Sequence, residues 1–159
     1  MKKIYITLIV LCSSCAISFA QIEKGIWLVG ASSNLGISSQ SIPNSPGYTI
    51  ATVNVKAGYF LINNLVLGIN ARFSKIDDSS TLSLGAFGRY YIAGKFFLGG
   101  GISSIKPNTG DSVIEIPLEV GYAAFVTSNI AIEPSINFSK GDGYDLFGAN
   151  IGFSIYFGR

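Results

Sequence analysis

The chain has 159 residues, enough for one domain, with 11 basic and 9 acidic side chains, two cysteines and no histidine. Charged residues make up only 13% of it, so it offers no electrostatic footprint for nucleic acid. Without histidine it lacks the commonest general base, and with cysteine confined to Cys12 and Cys15 it has no cluster that could hold zinc.

The first element is a leader. Met1, Lys2 and Lys3 precede an apolar run from Ile4 to Leu11, and small residues stand at Ser18 and Ala20 before Gln21. This is the layout of a cleaved secretory signal over residues 1–20, leaving 21–159 as the mature domain. The apolar run is too short for a helix to cross about 30 Å of hydrocarbon. A lipid anchor on Cys15 would need a large apolar residue three positions upstream, where Cys12 stands. Removing the leader takes away both cysteines and two lysines, leaving nine basic against nine acidic side chains.

Eight segments then alternate apolar and polar residues, the period of a strand. The first, Gly25 to Leu35, puts Trp27, Val29, Ala31 and Leu35 on one face. The second, Thr49 to Tyr59, sets Val53, Val55 and Tyr59 against Thr52, Asn54 and Lys56. The third, Leu65 to Ser74, sets Leu67, Ile69 and Phe73 against Asn70 and Arg72; the fourth, Thr81 to Tyr91, sets Leu82, Leu84 and Tyr90 against Ser83, Phe87 and Arg89. The fifth, Lys95 to Ser103, is interrupted by Gly99-Gly100-Gly101, which predicts a bend or bulge. The sixth, Val113 to Ala123, sets Ile114, Ile116, Leu118, Val120 and Tyr122 against Glu115, Pro117 and Glu119. The seventh sets Ile130, Ile132, Pro134, Ile136 and Phe138 against Glu133, Ser135 and Asn137, and the last, Asp145 to Phe157, sets Phe147, Ile151, Phe153 and Phe157 against Asn150, Gly152 and Tyr156. Pro117 and Pro134 each lack a ladder donor, predicting irregular pairing there.

Four of these segments close on an aromatic of the apolar face: Tyr59, Tyr90, Tyr122 and Phe157, spaced 31, 32 and 35 residues apart. A repeat of about 32 residues holding two strands and an interfacial aromatic is a hairpin of a membrane barrel. Short connections (60–64, 92–94, 124–129) follow the closures, and longer ones rich in Ser, Asn, Asp and Gly (36–48, 75–80, 104–112, 139–144) lie at the other end. The expected fold is therefore all-β: an eight-stranded antiparallel transmembrane β-barrel. Its short turns and both chain ends would face the periplasm, and Trp27, Tyr59, Tyr90, Tyr122 and Phe157 would form a girdle there.

A soluble barrel of the lipocalin type would alternate too, but its outer polar face should be dense in Lys and Glu. Here that face is mostly Ser, Asn, Thr and Gly, and the mean hydropathy is +0.45, so the apolar face is read as lipid-facing and the polar one as the lumen. Six charges fall inward: Lys56, Arg72 and Arg89 from the second to fourth strands, Glu115, Glu119 and Glu133 from the far wall. Confined charges are costly unless paired, so an ion-pair network that plugs the lumen is expected. A gate, in which one pair breaks to open a narrow path, is the alternative.

The last strand carries Asn150, Gly152, Ile155 and Phe157, a polar residue with a glycine two positions on and apolar residues five and seven on, near the chain end. This is similar to the insertion signal that outer-membrane barrels present to their assembly machinery, departing from it in the Gly158-Arg159 tail. With the leader, the eight segments and the Gly-aromatic closures Gly58-Tyr59 and Gly121-Tyr122, residues 21–159 resemble the small outer-membrane β-barrel family of OmpA transmembrane domains and OmpX-like proteins. The resemblance implies a non-catalytic envelope protein of a diderm bacterium whose loops serve structure or surface contact. The loop at 36–48, with Ser38, Ser39, Gln40, Ser41 and Tyr48, is the candidate for an extracellular ligand. The alternative is a small porin-like channel gated by lumen charges. The expected partners are outer-membrane lipid and the barrel-assembly machinery. No cofactor, metal or nucleic acid is expected, and no catalytic group stands out: Glu115 and Glu119, an imaginable acid/base pair, are better explained by salt bridges.

Overall fold

The computed structural model describes residues 22–40, 51–76, 79–107, 111–141 and 145–158. The leader and residues 41–48 of the first long connection lie outside the described residues.

Alternation builds the molecule. The strands are β1 (Trp27–Gln40), β2 (Ala51–Ile62), β3 (Leu65–Ile76), β4 (Ser79–Ile92), β5 (Phe96–Pro107), β6 (Val113–Tyr122), β7 (Ala124–Phe125), β8 (Ile130–Lys140) and β9 (Asp145–Phe157). Each pairs antiparallel with its neighbour; β1 also pairs with β9, and β6 with β8, so the sheet closes on itself. β7 continues β6 past Ala123 along the same neighbour, β8, in the same register. The chain is thus a closed, eight-stranded antiparallel β-barrel, a form that leaves no sheet edge unpaired.

The strands run further than the sequence pattern predicts. Gly36–Gln40, expected in the first long loop, belongs to β1, where Ser38, Ser39 and Gln40 pair with Gly148, Phe147 and Leu146 after a register shift that begins at Asn34. The shift absorbs extra residues and restores the ladder, so a Ser- and Gly-rich stretch is held by its neighbour rather than by its own propensity. Lys75 and Ser80 likewise pair with each other, and Lys106 and Pro107 continue β5. The turns at the opposite end are correspondingly tight. Asn64 adopts φ 67° between β2 and β3, and Ala93 and Gly94 adopt φ 52° and 66° between β4 and β5, the left-handed conformation such turns require.

Of the expected irregularities, the glycine bulge is absent and the lapses in pairing at the prolines are present. Gly99-Gly100-Gly101 form no bulge: they pair in unbroken register with Arg89, Gly88 and Phe87. Their value is space, because a Cβ on Gly99 would stand 2.8 Å from Glu119 Cγ and one on Gly100 would stand 3.1 Å from Leu118 Cδ2. Pro117 and Pro134 keep register opposite Ser139 and Ile151 on one side, but on the other side the pairing lapses at each: β5 and β6 pair at Gly100–Leu118 and again only at Ser103–Glu115, and β8 pairs Ser135 with Gly121 and then Ile132 with Ala124. The second lapse is the break between β6 and β7, across from Pro134 of β8. There Ala123 N donates to Lys95 O at 2.7 Å, outside the β8 ladder.

The two faces follow the parity of the sequence. Ile69, Leu84, Ile114 and Val120 are 58–69% exposed on the exterior, while Lys56, Arg89, Glu115 and Glu133 are buried inside. Exposed apolar patches on soluble monomers rarely exceed a few hundred Å²; here apolar side chains of every long strand share the outer face.

Candidate functional site in the lumen

Inward-facing positions on facing walls meet across a narrow interior, and their residue types stack it in layers. The lowest layer, at the short-turn end, is apolar. Phe60 of β2, Tyr91 of β4, Phe97 of β5, Phe125 of β7 and Tyr156 of β9 form an aromatic deck. Its ring centroids are 5.7 Å apart for Phe60–Tyr91, 5.6 Å for Tyr91–Phe97 and 5.0 Å for Phe125–Tyr156. Leu28, Val66, Ala123 and Ala131 complete it, and Ile22 and Ile26 join from the segment before β1. That segment is tied to the first turn: Asn64 N donates to Ile22 O at 3.0 Å, Gly25 N to Phe60 O at 2.9 Å and Lys24 N to Asn63 Oδ1 at 2.9 Å. Burying these apolar groups in an enclosed end excludes water from it.

A charge hub rests on the deck. Arg89 lies with its guanidinium carbon 3.9 Å from the centre of the Phe97 ring, a cation–π stack. Its Nε and Nη2 donate to Glu119 Oε1 at 2.8 and 2.6 Å, and its Nη1 donates to Glu133 Oε2 at 2.7 Å and to the Tyr91 hydroxyl at 3.0 Å. Lys56 Nζ donates to the same Glu133 oxygen at 3.2 Å, and the Tyr156 hydroxyl donates to Glu133 Oε1 at 2.8 Å. The two phenol oxygens lie 3.1 Å apart. A phenol has one proton, so the one Tyr156 gives to the carboxylate leaves Tyr91 to donate to Tyr156. The fixed planar fork of Arg89 engages both carboxylates at once, a geometry that a lysine could not reproduce.

The remaining charges form a second pair: Arg72 Nη1 donates to Glu115 Oε1 at 2.8 Å. All six charged residues singled out by parity thus face the lumen, and three cations meet three anions with no net charge. Above and beside them stand neutral polar groups, with Asn150 Nδ2 donating to Asn137 Oδ1 at 2.9 Å and the Thr52 and Ser74 hydroxyls 3.0 Å apart.

The other singled-out residues lie as follows. Trp27, Tyr59, Tyr90, Tyr122 and Phe157 are on the exterior at the short-turn end, in two contact groups rather than a continuous ring. Trp27 is opposite both Tyr59 and Phe157, with its ring 5.0 Å from that of Tyr59, and Tyr122 stands edge-on to Phe96 at 4.9 Å. Tyr90 is opposite Leu65. The four last-strand residues that resemble an insertion signal divide between faces: Asn150 and Gly152 are turned to the lumen, Ile155 and Phe157 outward. Among the described residues, no group of three or more His, Cys, Asp or Glu side chains could hold a metal ion.

Sequence reasoning missed the deck. Tyr156 already stood on the inward parity, and two more members were visible as inward positions just beyond a closing aromatic: Phe60 follows Tyr59 and Tyr91 follows Tyr90. Carrying the parity one residue further would have placed large apolar side chains inside a lumen expected to be polar.

No family model matches the sequence, and no curated protein matches it. Solved structures match in fold. Neisserial surface protein A is 15% identical with a TM-score of 0.59, over 83% of this chain and 97% of its own. The outer membrane protein Ail of Yersinia pestis, in a phospholipid bilayer nanodisc, is 16% identical with a TM-score of 0.56, over 84% and 100%. The outer membrane protein OprG from Pseudomonas aeruginosa is 10% identical with a TM-score of 0.57, over 89% and 100%. The chain has the fold of the small outer-membrane β-barrels; at these identities the likeness is one of architecture.

Proposed function

We propose that this chain is a non-catalytic integral protein of a diderm outer membrane, exported by its leader and inserted as a closed barrel. Its lumen is plugged, and its long connections serve envelope structure or contact with something outside the cell. The observation that carries this reading is the pairing of an apolar exterior on all long strands with a lumen blocked by two layers, the aromatic deck and the charge hub resting on it. The first layer admits no water and the second offers no unmatched charge to draw an ion through. The strand length also fits, because 10–14 residues per long strand reach across about 30 Å when tilted. In this reading the five outer aromatics at the short-turn end lie at the periplasmic interface, where amphipathic rings are favoured, and the last strand addresses the assembly machinery. Surface contact falls to residues 41–48, since 36–40 are committed to β1.

Separation of inner from outer membranes tests the reading. The chain should be found in the outer-membrane fraction and run as a compact, heat-modifiable band that shifts only after boiling. Recovery in the soluble periplasm would overturn it.

A further inference from the structure

We propose that the half of the lumen above the charge hub is a binding cup for a small, neutral, polyhydroxylated solute of monosaccharide size. The idea rests on the proposed orientation, which turns this half toward the exterior. The barrel encloses here a cavity of about 280 Å³, close to the lower end of small-molecule sites, which span about 300–1,000 Å³.

The charges around the cavity argue against an ionic ligand. Lys56, Arg72, Glu115 and Glu119 all line it, and each is already matched, to Glu133, Glu115, Arg72 and Arg89 respectively. An anion or cation would have to break one of these pairs or remain unmatched itself. The walls argue for a neutral one. Thr52, Asn54, Asn70, Ser74, Asn137 and Ser139 line the cavity with hydroxyls and amides, groups that donate and accept alike. A sugar ring, whose hydroxyls also do both, is their natural complement.

Two of these groups have unused capacity. Asn54 Oδ1 and Ser139 Oγ are buried with no hydrogen-bond partner, and the Ser139 residue is only 1% exposed. Buried polar groups are nearly always satisfied, so two acceptors lining one polar cavity mark where ligand hydroxyls would donate. The Asn137–Asn150 and Thr52–Ser74 contacts hold the walls in place beforehand, lowering the ordering cost of binding. Phe87, also at the cavity, offers the apolar surface on which the C–H face of a sugar ring can lie.

The test uses the purified barrel in lipid nanodiscs, titrated with D-glucose and, separately, with inorganic phosphate. The readout is the side-chain amide resonances of Asn54, Asn70, Asn137 and Asn150. Glucose should shift them saturably and phosphate should not. Ser139→Leu, which fills the cavity without touching an ion pair, should abolish the shifts. Asn54→Ala, which removes one acceptor and adds no volume, should weaken binding about tenfold and keeps the test open should the leucine variant fail to fold. Absence of saturable shifts in a folded barrel would overturn the cup and leave a cavity for water alone. Saturation by phosphate instead of glucose would overturn it in favour of an anion site. A folded, membrane-inserted barrel that ignores glucose leaves the proposed envelope role intact, so the two failures are distinguishable.

Discussion

Glu133 is the residue on which the lumen depends most. It accepts from Arg89, Lys56 and Tyr156 while 1% exposed, so Glu133→Ala takes away the carboxylate of Lys56 and leaves Arg89 on Glu119 alone. Loss of a partner from a buried pair costs about 3–5 kcal/mol, and that loss is expected here in urea unfolding from lipid vesicles. Glu119 is partly exposed, its side chain at 26%, and its removal leaves Arg89 still held by Glu133; Glu119→Ala should cost about 1–3 kcal/mol. Equal losses in the two variants would contradict a hub centred on Glu133. Gly99 is demanding for a different reason. Its missing side chain is the room Glu119 occupies, so Gly99→Val should destabilise by about 1–3 kcal/mol through overpacking, and an unchanged unfolding midpoint would remove it from the site. The charges themselves were legible in the sequence, because a lysine or glutamate on the polar parity of a strand has only the lumen to face. Their partners were not: which cation meets which anion depends on stagger between strands far apart in the chain, as for Lys56 and Glu133, 77 residues apart.

At the scale of the strand, period two carried most of the information. It assigned faces to all eight staves, and those assignments agree with the exposure of Ile69, Leu84, Ile114 and Val120. Strand ends were less legible. The pattern stops where side chains turn small and polar, as in Gly36–Gln40, but the backbone ladder continues as long as a neighbour is there to pair. The prolines were legible: pairing lapses on one side of each, at Pro117 between β5 and β6 and at Pro134 where β8 faces the break between β6 and β7, while Pro134 keeps its register with β9. A direct test of the faces belongs at this scale. Val55 is 49% exposed on the exterior of β2, so Val55→Lys should cost about 2–4 kcal/mol of folding stability in a bilayer. Its inward neighbour Asn54 already faces a polar cavity, and Asn54→Ser should shift stability by less than about 1 kcal/mol. Equal costs at the two positions would mean that the faces were reversed.

For the whole molecule, closure of the sheet and filling of the interior are coupled. β9 brings Tyr156 into the deck and onto Glu133, and it pairs with β1 along nearly the full wall, so zipping the last strand to the first also completes the interior. The segment ahead of β1 adds Ile22 and Ile26 to the same end. In the proposed reading two adjoining layers, apolar below and ionic above, close the barrel, and breaking a single ion pair does not open a path. On this point the proposed plugged barrel and a charge-gated pore make opposite predictions. The decisive measurement is single-channel conductance in planar bilayers, comparing the unaltered protein with Glu119→Ala. Both should remain closed, because the aromatic deck beneath the hub is untouched by the substitution; steady conductance in the unaltered protein, or a channel opened by Glu119→Ala alone, would contradict the account.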